Sequence, residues 1–101
     1  MKVSYIISSI GKSRKLNELL NSLINHLNEN EIILIDNSEN KALQQYKKNK
    51  AIHYYHEEKT GLSNARNRGA KEASNELLVF LDDDIIPKSS FFEALNSYAN
   101  N

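Results

Sequence analysis

Short apolar runs alternate with helical patterns along this chain of 101 residues. Four runs have the length of β-strands, and they lie at residues 3–8, 32–35, 52–56 and 77–81. Three of them are largely apolar, which is typical of parallel strands that are covered on both faces. The run at 52–56, IHYYH, is half polar and predicts a strand at the edge of a sheet.

Helical periodicity fills the segments between these runs. Six apolar residues at offsets of 0, 3, 4, 7, 8 and 11 predict an amphipathic first helix, and they are Leu16, Leu19, Leu20, Leu23, Ile24 and Leu27. Ser13 is the predicted N-cap of this helix. A stripe of mostly small side chains predicts a later helix that lies close against a sheet, and it comprises Leu62, Ala65, Gly69, Ala70 and Ala73.

Two further helices complete the pattern. Residues 41–48 predict a weaker helix, which rests on Ala42, Leu43 and Tyr46. Pro87 is expected at the first position of the last helix, whose apolar face would carry Phe91, Phe92, Leu95 and Tyr98. Strands that alternate with helices imply right-handed crossovers and a parallel sheet. The pattern therefore predicts one α/β domain over residues 1–101.

Composition removes several classes of protein. Thirteen basic and thirteen acidic side chains leave no net charge, which argues against a nucleic-acid binder. The sequence has no cysteine, hence neither a disulfide nor a cysteine zinc site. It has no signal-peptide cleavage region, and no apolar run approaches the roughly 20 residues of a membrane helix. We therefore expect a cytoplasmic protein that binds no nucleic acid.

Polar residues follow each of the four predicted strands. Ligands of an open parallel sheet bind beyond the carboxyl ends of its strands, so these residues are candidates for a binding site. In chain order they are Ser8 and Ser9, then Asp36 and Asn37, then residues 57–61, and finally Asp82, Asp83 and Asp84. We expect them to converge on one rim of the sheet from separate parts of the chain.

The three adjacent aspartates are the sharpest feature of this rim. Adjacent carboxylates on a short turn repel one another unless a cation compensates, and their oxygens suit Mg²⁺ or Mn²⁺. The other interpretation is a solvated acidic turn that caps the helix starting near Pro87, where negative charge is favourable. The position of the aspartates at the end of the most apolar strand favours the metal.

Asp36 and Arg66 each have two interpretations. Asp36 either closes an Asx turn after its strand or accepts hydrogen bonds from a nucleobase or ribose. Arg66 lies near the start of a predicted helix, where it either reaches the rim or belongs to a solvated helix face. For Arg68 and Lys71 of the same helix, the solvated face is favoured.

Three segments of the chain resemble the nucleotide-sugar-binding half of family-two glycosyltransferases, which have the GT-A fold. The segments are VSYIISSIGKSRKLNELLNSL, EIILIDNSEN and KTGLSNARNRGAKEASNELLVFLDDDIIP. The third is the most specific, because a GLSNARNRGA helix, an apolar strand and FLDDD rarely follow one another by chance. The resemblance covers nearly the whole chain. It implies a Rossmann-like three-layer α-β-α sandwich with a four-stranded, mostly parallel sheet in the order 3-2-1-4.

The same resemblance implies a nucleotide site made of Ser8, Ser9, Asp36, Gly61, Arg66, Asp82 and Asp83. In that site the two serines would flank the base and ribose, and Asp36 would contact the base. Gly61 and Arg66 would lie in the segment that closes over the base and diphosphate.

A metal site is implied by the DxD pair of the family, which corresponds here to Asp82 and Asp84. Asp84 would ligate a divalent cation, Mn²⁺ or Mg²⁺, that bridges the diphosphate. Asp82 would support the ribose or the metal shell. Such a cation neutralises charge on the leaving nucleoside diphosphate.

The implied function is to bind a nucleoside-diphosphate sugar for transfer to an acceptor hydroxyl.

The chain departs from the family after its first strand, where Ser8, Ser9, Ile10 and Gly11 replace the usual proline, threonine, aromatic residue and asparagine. Asn37 likewise replaces a frequent acidic residue. Inverting transfer needs a general base, and Glu93 is the only carboxylate after Pro87. We therefore assign no catalytic residue and expect a truncated GT-A domain that is inactive alone.

Other classes of function remain open. One is a non-catalytic binding or interaction module on the same fold. A receiver-like phosphoacceptor domain is disfavoured, because receivers gather acidic residues after the first strand.

The truncation also predicts a homodimer through the fourth strand or the last helix. The fourth strand would be an open apolar edge, and Phe91 and Phe92 would add exposed apolar area.

Overall fold

All four apolar runs form β-strands in the computed structural model, which describes residues 1–100. The strands are β1 (Val3–Ser9), β2 (Glu31–Asp36), β3 (Ile52–His56) and β4 (Leu77–Asp82). The α-helices of these residues are α1 (Leu16–Asn25), α2 (Leu62–Glu72) and α3 (Ser89–Ala99). The weaker helix predicted over 41–48 is a 3-10 helix at Gln44–Lys48.

The sheet has the order β3-β2-β1-β4, and all three strand pairs are parallel. The expected strand order is thus confirmed. β3 lies at one edge, as its half-polar sequence predicted, and β4 lies at the other. Because the strands run in one direction, their carboxyl ends share one rim. The register there pairs Ser9 with Asp36 and Ser8 with Asp82.

Alternating side chains of the sheet belong to two separate cores, which gives the expected three layers. One face buries Tyr5 and Ile7 against the leucine stripe of α1 and against Phe92 of α3. The opposite face buries Ile6 and Ile33 against α2. Burial of these apolar side chains is the main favourable term for a domain of this size, at about 1.5–3 kcal/mol for each fully buried one.

Helix α2 lies close against the sheet because Gly69 has no side chain at the point of contact. A Cβ atom at this position would clash with Cγ2 of Ile6. Ala65, one turn earlier, is also buried. The stripe predicted for this helix is therefore correct at its centre, but Leu62 and Ala70 are exposed.

The predicted first residues of α1 and α3 both need correction. α1 begins at Leu16 with Lys15 at its N-cap, and the cap makes no side-chain hydrogen bond. Ser13 is thus not the cap, and its hydroxyl accepts from the Lys15 amide and donates elsewhere. α3 begins at Ser89, so Pro87 precedes the helix rather than occupying its first position.

The predicted apolar face of α3 is correct at Phe91, Phe92 and Leu95 but not at Tyr98. Phe92 is buried and packs edge-on against Tyr5, while Phe91 is half-buried. The expectation that both rings are exposed is therefore wrong. Tyr98, predicted on the same face, is 66% exposed. No helix within residues 1–100 is long and apolar enough to cross a membrane.

Candidate ligand cleft at the carboxyl rim

A cleft of about 380 Å³ opens at the carboxyl ends of β1 and β4. It brings together six residues that the sequence proposed for a site: Ser8, Ser9, Gly61, Asp82, Asp83 and Asp84. Three further residues complete its lining: Asn37, which the sequence also placed on this rim, and Ile10 and Leu62. The parallel register explains this convergence, because each strand delivers its following residues to the same rim.

A second cavity of about 450 Å³ adjoins the first and shares Ile10, Asn37 and Gly61 with it. Its other lining residues are Lys12, Ser38, Glu39, Asn40 and Thr60. One wall is the segment after β2, and the other is the segment that leads into α2. The two cavities form a continuous site with an acidic end at the aspartates and a mixed polar end beside β2.

The acidic end of the site is a turn that follows β4. Asp82 is the last residue of the strand, and its carbonyl accepts a long hydrogen bond of 3.4 Å from the amide of Ile85. Ser13 donates its hydroxyl to the carbonyl of Asp83 at 2.7 Å. The side chains of Asp82 and Asp84 are exposed, and that of Asp83 is half-buried.

The aspartates alone do not provide a complete set of ligands for a metal ion. Among residues 1–100, no three histidine or acidic side chains are grouped so that they could hold a metal ion. Asp82 and Asp84 do supply two exposed carboxylates beside the cleft, and such hard oxygen donors suit Mg²⁺ or Mn²⁺. The donor set therefore fits a cation that takes its other ligands from a bound anion and from water.

Asp36 is fully buried and its carboxylate is surrounded by donors from the protein itself. Oδ1 accepts from the amide of Ser38 at 3.0 Å and from its hydroxyl at 2.6 Å. Oδ2 accepts from the amide of Leu43 at 3.0 Å and from the hydroxyl of Tyr54 at 2.6 Å. Of the two interpretations of Asp36, the Asx turn is thus present. Asp36 lines neither cavity, and its contact with a base stays a prediction.

The hydrogen bonds decide the ionisation of this buried group. Burial alone would raise the pKa of the Asp36 carboxyl, but the bonds from Ser38, Tyr54 and Leu43 outweigh burial and lower that pKa below its usual value. Burial, together with the adjacent carboxylate, raises the pKa of the Tyr54 hydroxyl well above its usual value. Asp36 is therefore a charged acceptor at neutral pH, and Tyr54 is a neutral donor.

Asn37 connects β2 to the segment before α2, a role that the sequence did not reveal. Its Nδ2 donates to the carbonyls of Glu57 and Lys59, each at 2.9 Å. Its Oδ1 accepts from the amide of Gly61 at 3.2 Å. The only sequence feature that pointed here was its place directly after a buried strand. The partners lie 20 or more residues away, so no local pattern could identify them.

Gly61 stands at the start of α2 and faces both cavities. It is the N-cap of the helix and has a φ of 114°, a conformation that favours glycine. Because it has no side chain, it also leaves the backbone open to a ligand. Its predicted position beside a bound nucleotide stays a prediction.

The two arginines of α2 have different surroundings. Arg66 is exposed and lies over the ring of Phe80, with its guanidinium carbon 5.9 Å from the ring centre. It does not line either cavity, so its predicted role in nucleotide binding stays a prediction. Arg68 forms ion pairs with Glu72 at 2.8 Å and with Glu57 at 3.6 Å. Arg68 thus ties α2 to the end of β3.

Glu93 lies outside this rim. It lines a separate cavity of about 390 Å³ beside α3, where Tyr5, His26 and Phe92 are among its neighbours. The only carboxylate after Pro87 is therefore not near the aspartate turn.

The fold and the cleft define a three-layer α/β protein with a candidate ligand site at the carboxyl rim of a parallel sheet. Residues 4–101 match the family model described as Glycosyl transferase family 2, and the chain belongs to this family. Members of the family generally bind nucleotide-sugar donors and use divalent metals.

A curated relative supports the same family. It comes from Rickettsia bellii (strain RML369-C), is described as an uncharacterized glycosyltransferase, and is 33% identical over 88 residues. The aligned part is 82% of this chain and 13% of the relative. The chain thus spans a small part of the length of the relative that it matches.

Proposed function

We propose that this chain is the donor-binding domain of a glycosyltransferase and binds a nucleoside-diphosphate sugar together with Mn²⁺ or Mg²⁺. The observation that carries the proposal is the cleft, in which Ser8, Ser9, Gly61 and the three aspartates meet. These residues come from the ends of β1 and β4 and from the start of α2. Family membership supplies the class of reaction, which is glycosyl transfer.

The shape of the site supports one orientation of the donor. In this orientation the diphosphate would lie at the acidic end, where the carboxylates of Asp82 and Asp84 would hold the metal that offsets its charge. The base lies in the adjoining cavity, between residues 38–40 and residues 60–61. Ile10 is 57% exposed and borders both cavities, so it offers an apolar surface for the base or ribose.

The metal, when bound, supplies positive charge that offsets the diphosphate and lowers the energy of the departing nucleoside diphosphate. The residues of the chain orient the donor. Asp82 and Asp84 would hold the metal through their carboxylates, and Gly61, which has no side chain, would leave its backbone open to the donor. Deprotonation of an acceptor hydroxyl needs a general base, and Glu93 lies in a different cavity. In this proposal, transfer depends on residues other than those described here.

The test is isothermal titration calorimetry with UDP, GDP and TDP, each with and without Mn²⁺. The expected result is binding of one nucleotide that becomes tighter when Mn²⁺ is present. Absence of binding for all three nucleotides in both conditions contradicts the proposal and favours a non-catalytic interaction module on the same fold. A bound nucleotide whose affinity ignores the metal contradicts the assignment of Asp82 and Asp84.

The proposal extends to assembly, with a second copy of the chain pairing along β4. Within residues 1–100, the outer edge of β4 has no neighbouring strand. The strand is apolar without a proline, features that favour pairing with another strand. Phe80, in its centre, is 42% exposed. The last helix is the less favoured alternative, because Phe92 is buried against the sheet.

A further inference from the structure

The last residue of β2 and the residue after it hold opposite walls of the second cavity. Asp36 binds Ser38 and Leu43, which begin and end the segment that forms one wall. Asn37 binds the carbonyls of Glu57 and Lys59 and the amide of Gly61, in the segment whose last residues, Thr60 and Gly61, line the other wall. Two neighbouring side chains thus fix the two sides of one cavity.

Neither side chain has much capacity left for a ligand. A carboxylate offers about four lone-pair sites, and all four sites of Asp36 are occupied by protein donors. Its side chain is also fully buried. Asn37 uses both of its amide hydrogens and accepts one bond at Oδ1. A ligand would have to displace these bonds in order to contact Asp36.

We propose that Asp36 and Asn37 are positioning residues, which set the separation of the two cavity walls and do not contact the nucleotide base through Asp36. The inference rests on the proposed function, in which this cavity takes the base of a nucleoside diphosphate. It assigns recognition of the base to exposed groups of the walls, among them Asn40 and Thr60, whose side chains line the cavity.

Tyr54 provides the discriminating variant, because it binds Asp36 and lines neither cavity. Tyr54→Phe removes one donor and frees a lone pair of Asp36. If Asp36 contacts the base directly, a freed lone pair leaves nucleotide affinity unchanged or improves it. If Asp36 positions the wall, the loosened segment lowers the affinity for nucleoside diphosphate by about threefold to tenfold, the equivalent of one modest hydrogen bond.

Inorganic pyrophosphate with Mn²⁺ is the probe that isolates the diphosphate end. We expect Tyr54→Phe to leave pyrophosphate affinity unchanged, because the aspartate turn is held through Ser13 and not through Asp36. Tyr46→Phe is the matched control, since it also removes a tyrosine hydroxyl but breaks only a 3.4 Å bond to Asn17. It should leave the affinity for both probes unchanged.

Asn37→Asp tests the opposite wall. A carboxylate cannot donate to the carbonyls of Glu57 and Lys59, so the substitution should open this wall and weaken nucleotide binding at least threefold. An increase in nucleotide affinity would overturn the role of Asn37, because it would mean that an acidic side chain here serves the base directly.

Hydrogen exchange separates failure of this inference from failure of the proposed function. In Tyr54→Phe, amide exchange should accelerate in residues 38–43 and stay unchanged in β1. If the natural chain binds no nucleotide but this acceleration occurs, the wall-positioning role stands and the donor-binding function falls. If nucleotide affinity and exchange both match the natural chain, the positioning role is wrong.

Discussion

Ser13 donates its hydroxyl to the carbonyl of Asp83 at 2.7 Å, although the two residues are 70 positions apart. The bond joins the segment after β1 to the turn after β4, and both segments contribute residues to the lining of the cleft. A serine that resembled a helix cap in the sequence therefore helps to hold the aspartates in place.

Removal of this hydroxyl should loosen the aspartate turn. We expect Ser13→Ala to reduce the Mn²⁺-dependent gain in nucleoside-diphosphate affinity by about twofold to fivefold, with a stability loss of about 1 kcal/mol, the usual net value of one hydrogen bond. Calorimetry and urea denaturation measure the two effects. Ser13→Thr retains the donor and should restore the metal response, whereas an unchanged response in Ser13→Ala would show that the bond is irrelevant to the site.

Asp84→Ala should abolish the gain in nucleotide affinity that Mn²⁺ produces. Asp84 lies on an exposed turn, so the free energy of unfolding should change by less than about 0.5 kcal/mol, as for other surface substitutions. Titration of nucleotide with and without Mn²⁺ gives the measurement. Glu76→Ala, which removes an exposed carboxylate at the opposite end of β4, is the control and should keep the full metal response.

The strands and the candidate rim could be predicted from the sequence, because both depend on local patterns. Apolar runs and turn-forming residues identify where each strand ends, and parallel topology then brings Ser8 and Asp82 to one rim. The strand order came from the family resemblance, since periodicity carries no information on which strands are neighbours.

The hydrogen bonds of the site could not be predicted, because their partners are distant in the chain. Asp36 was consistent with a turn or with a base contact until the donors Leu43 and Tyr54 were placed beside it. Ser13 was assigned as a cap for the same reason, since its acceptor, Asp83, lies on another strand connection.

Gly69→Ala should destabilise the fold even though alanine is the better helix former. Relief of glycine's helix penalty contributes up to about 1 kcal/mol, but the added methyl group meets Ile6 in a close-packed interface. Overpacking of this kind costs about 1–3 kcal/mol, so we expect a net loss of about 1–2 kcal/mol in urea denaturation. Asn67→Ala, on the exposed side of α2, is the control and should be neutral or stabilising.

The lowered pKa of Asp36 makes a specific contribution to stability across the acidic range. A depressed carboxyl pKa stabilises the folded state above the unfolded value, which is about 3.9, and this contribution is lost as pH falls through the folded value. Asp36→Asn should therefore cost about 2–4 kcal/mol at pH 7, because buried donors lose their acceptor. The difference between the two proteins should shrink steadily below about pH 4.

Chemical denaturation of both proteins at pH 7, 5 and 3 checks this prediction. The difference in unfolding free energy is the relevant quantity, since other carboxylates titrate equally in both proteins. A difference that is constant from pH 7 to pH 3 would mean that the charge of Asp36 does not stabilise the fold.

The open edge of β4 predicts self-association of this chain. Two copies that pair along β4 satisfy backbone groups that otherwise face water, and they bury part of the exposed ring of Phe80. Multi-angle light scattering at high micromolar concentration should give the mass of a dimer.

Phe80→Lys places a charge beside the edge and should shift the population to monomers, because charged side chains at edge strands discourage pairing. Tyr98→Lys, which changes an exposed ring of α3, should leave the dimer intact. Dissociation by Tyr98→Lys alone would assign the contact to the last helix, and a monodisperse monomer of the natural chain would contradict self-association altogether.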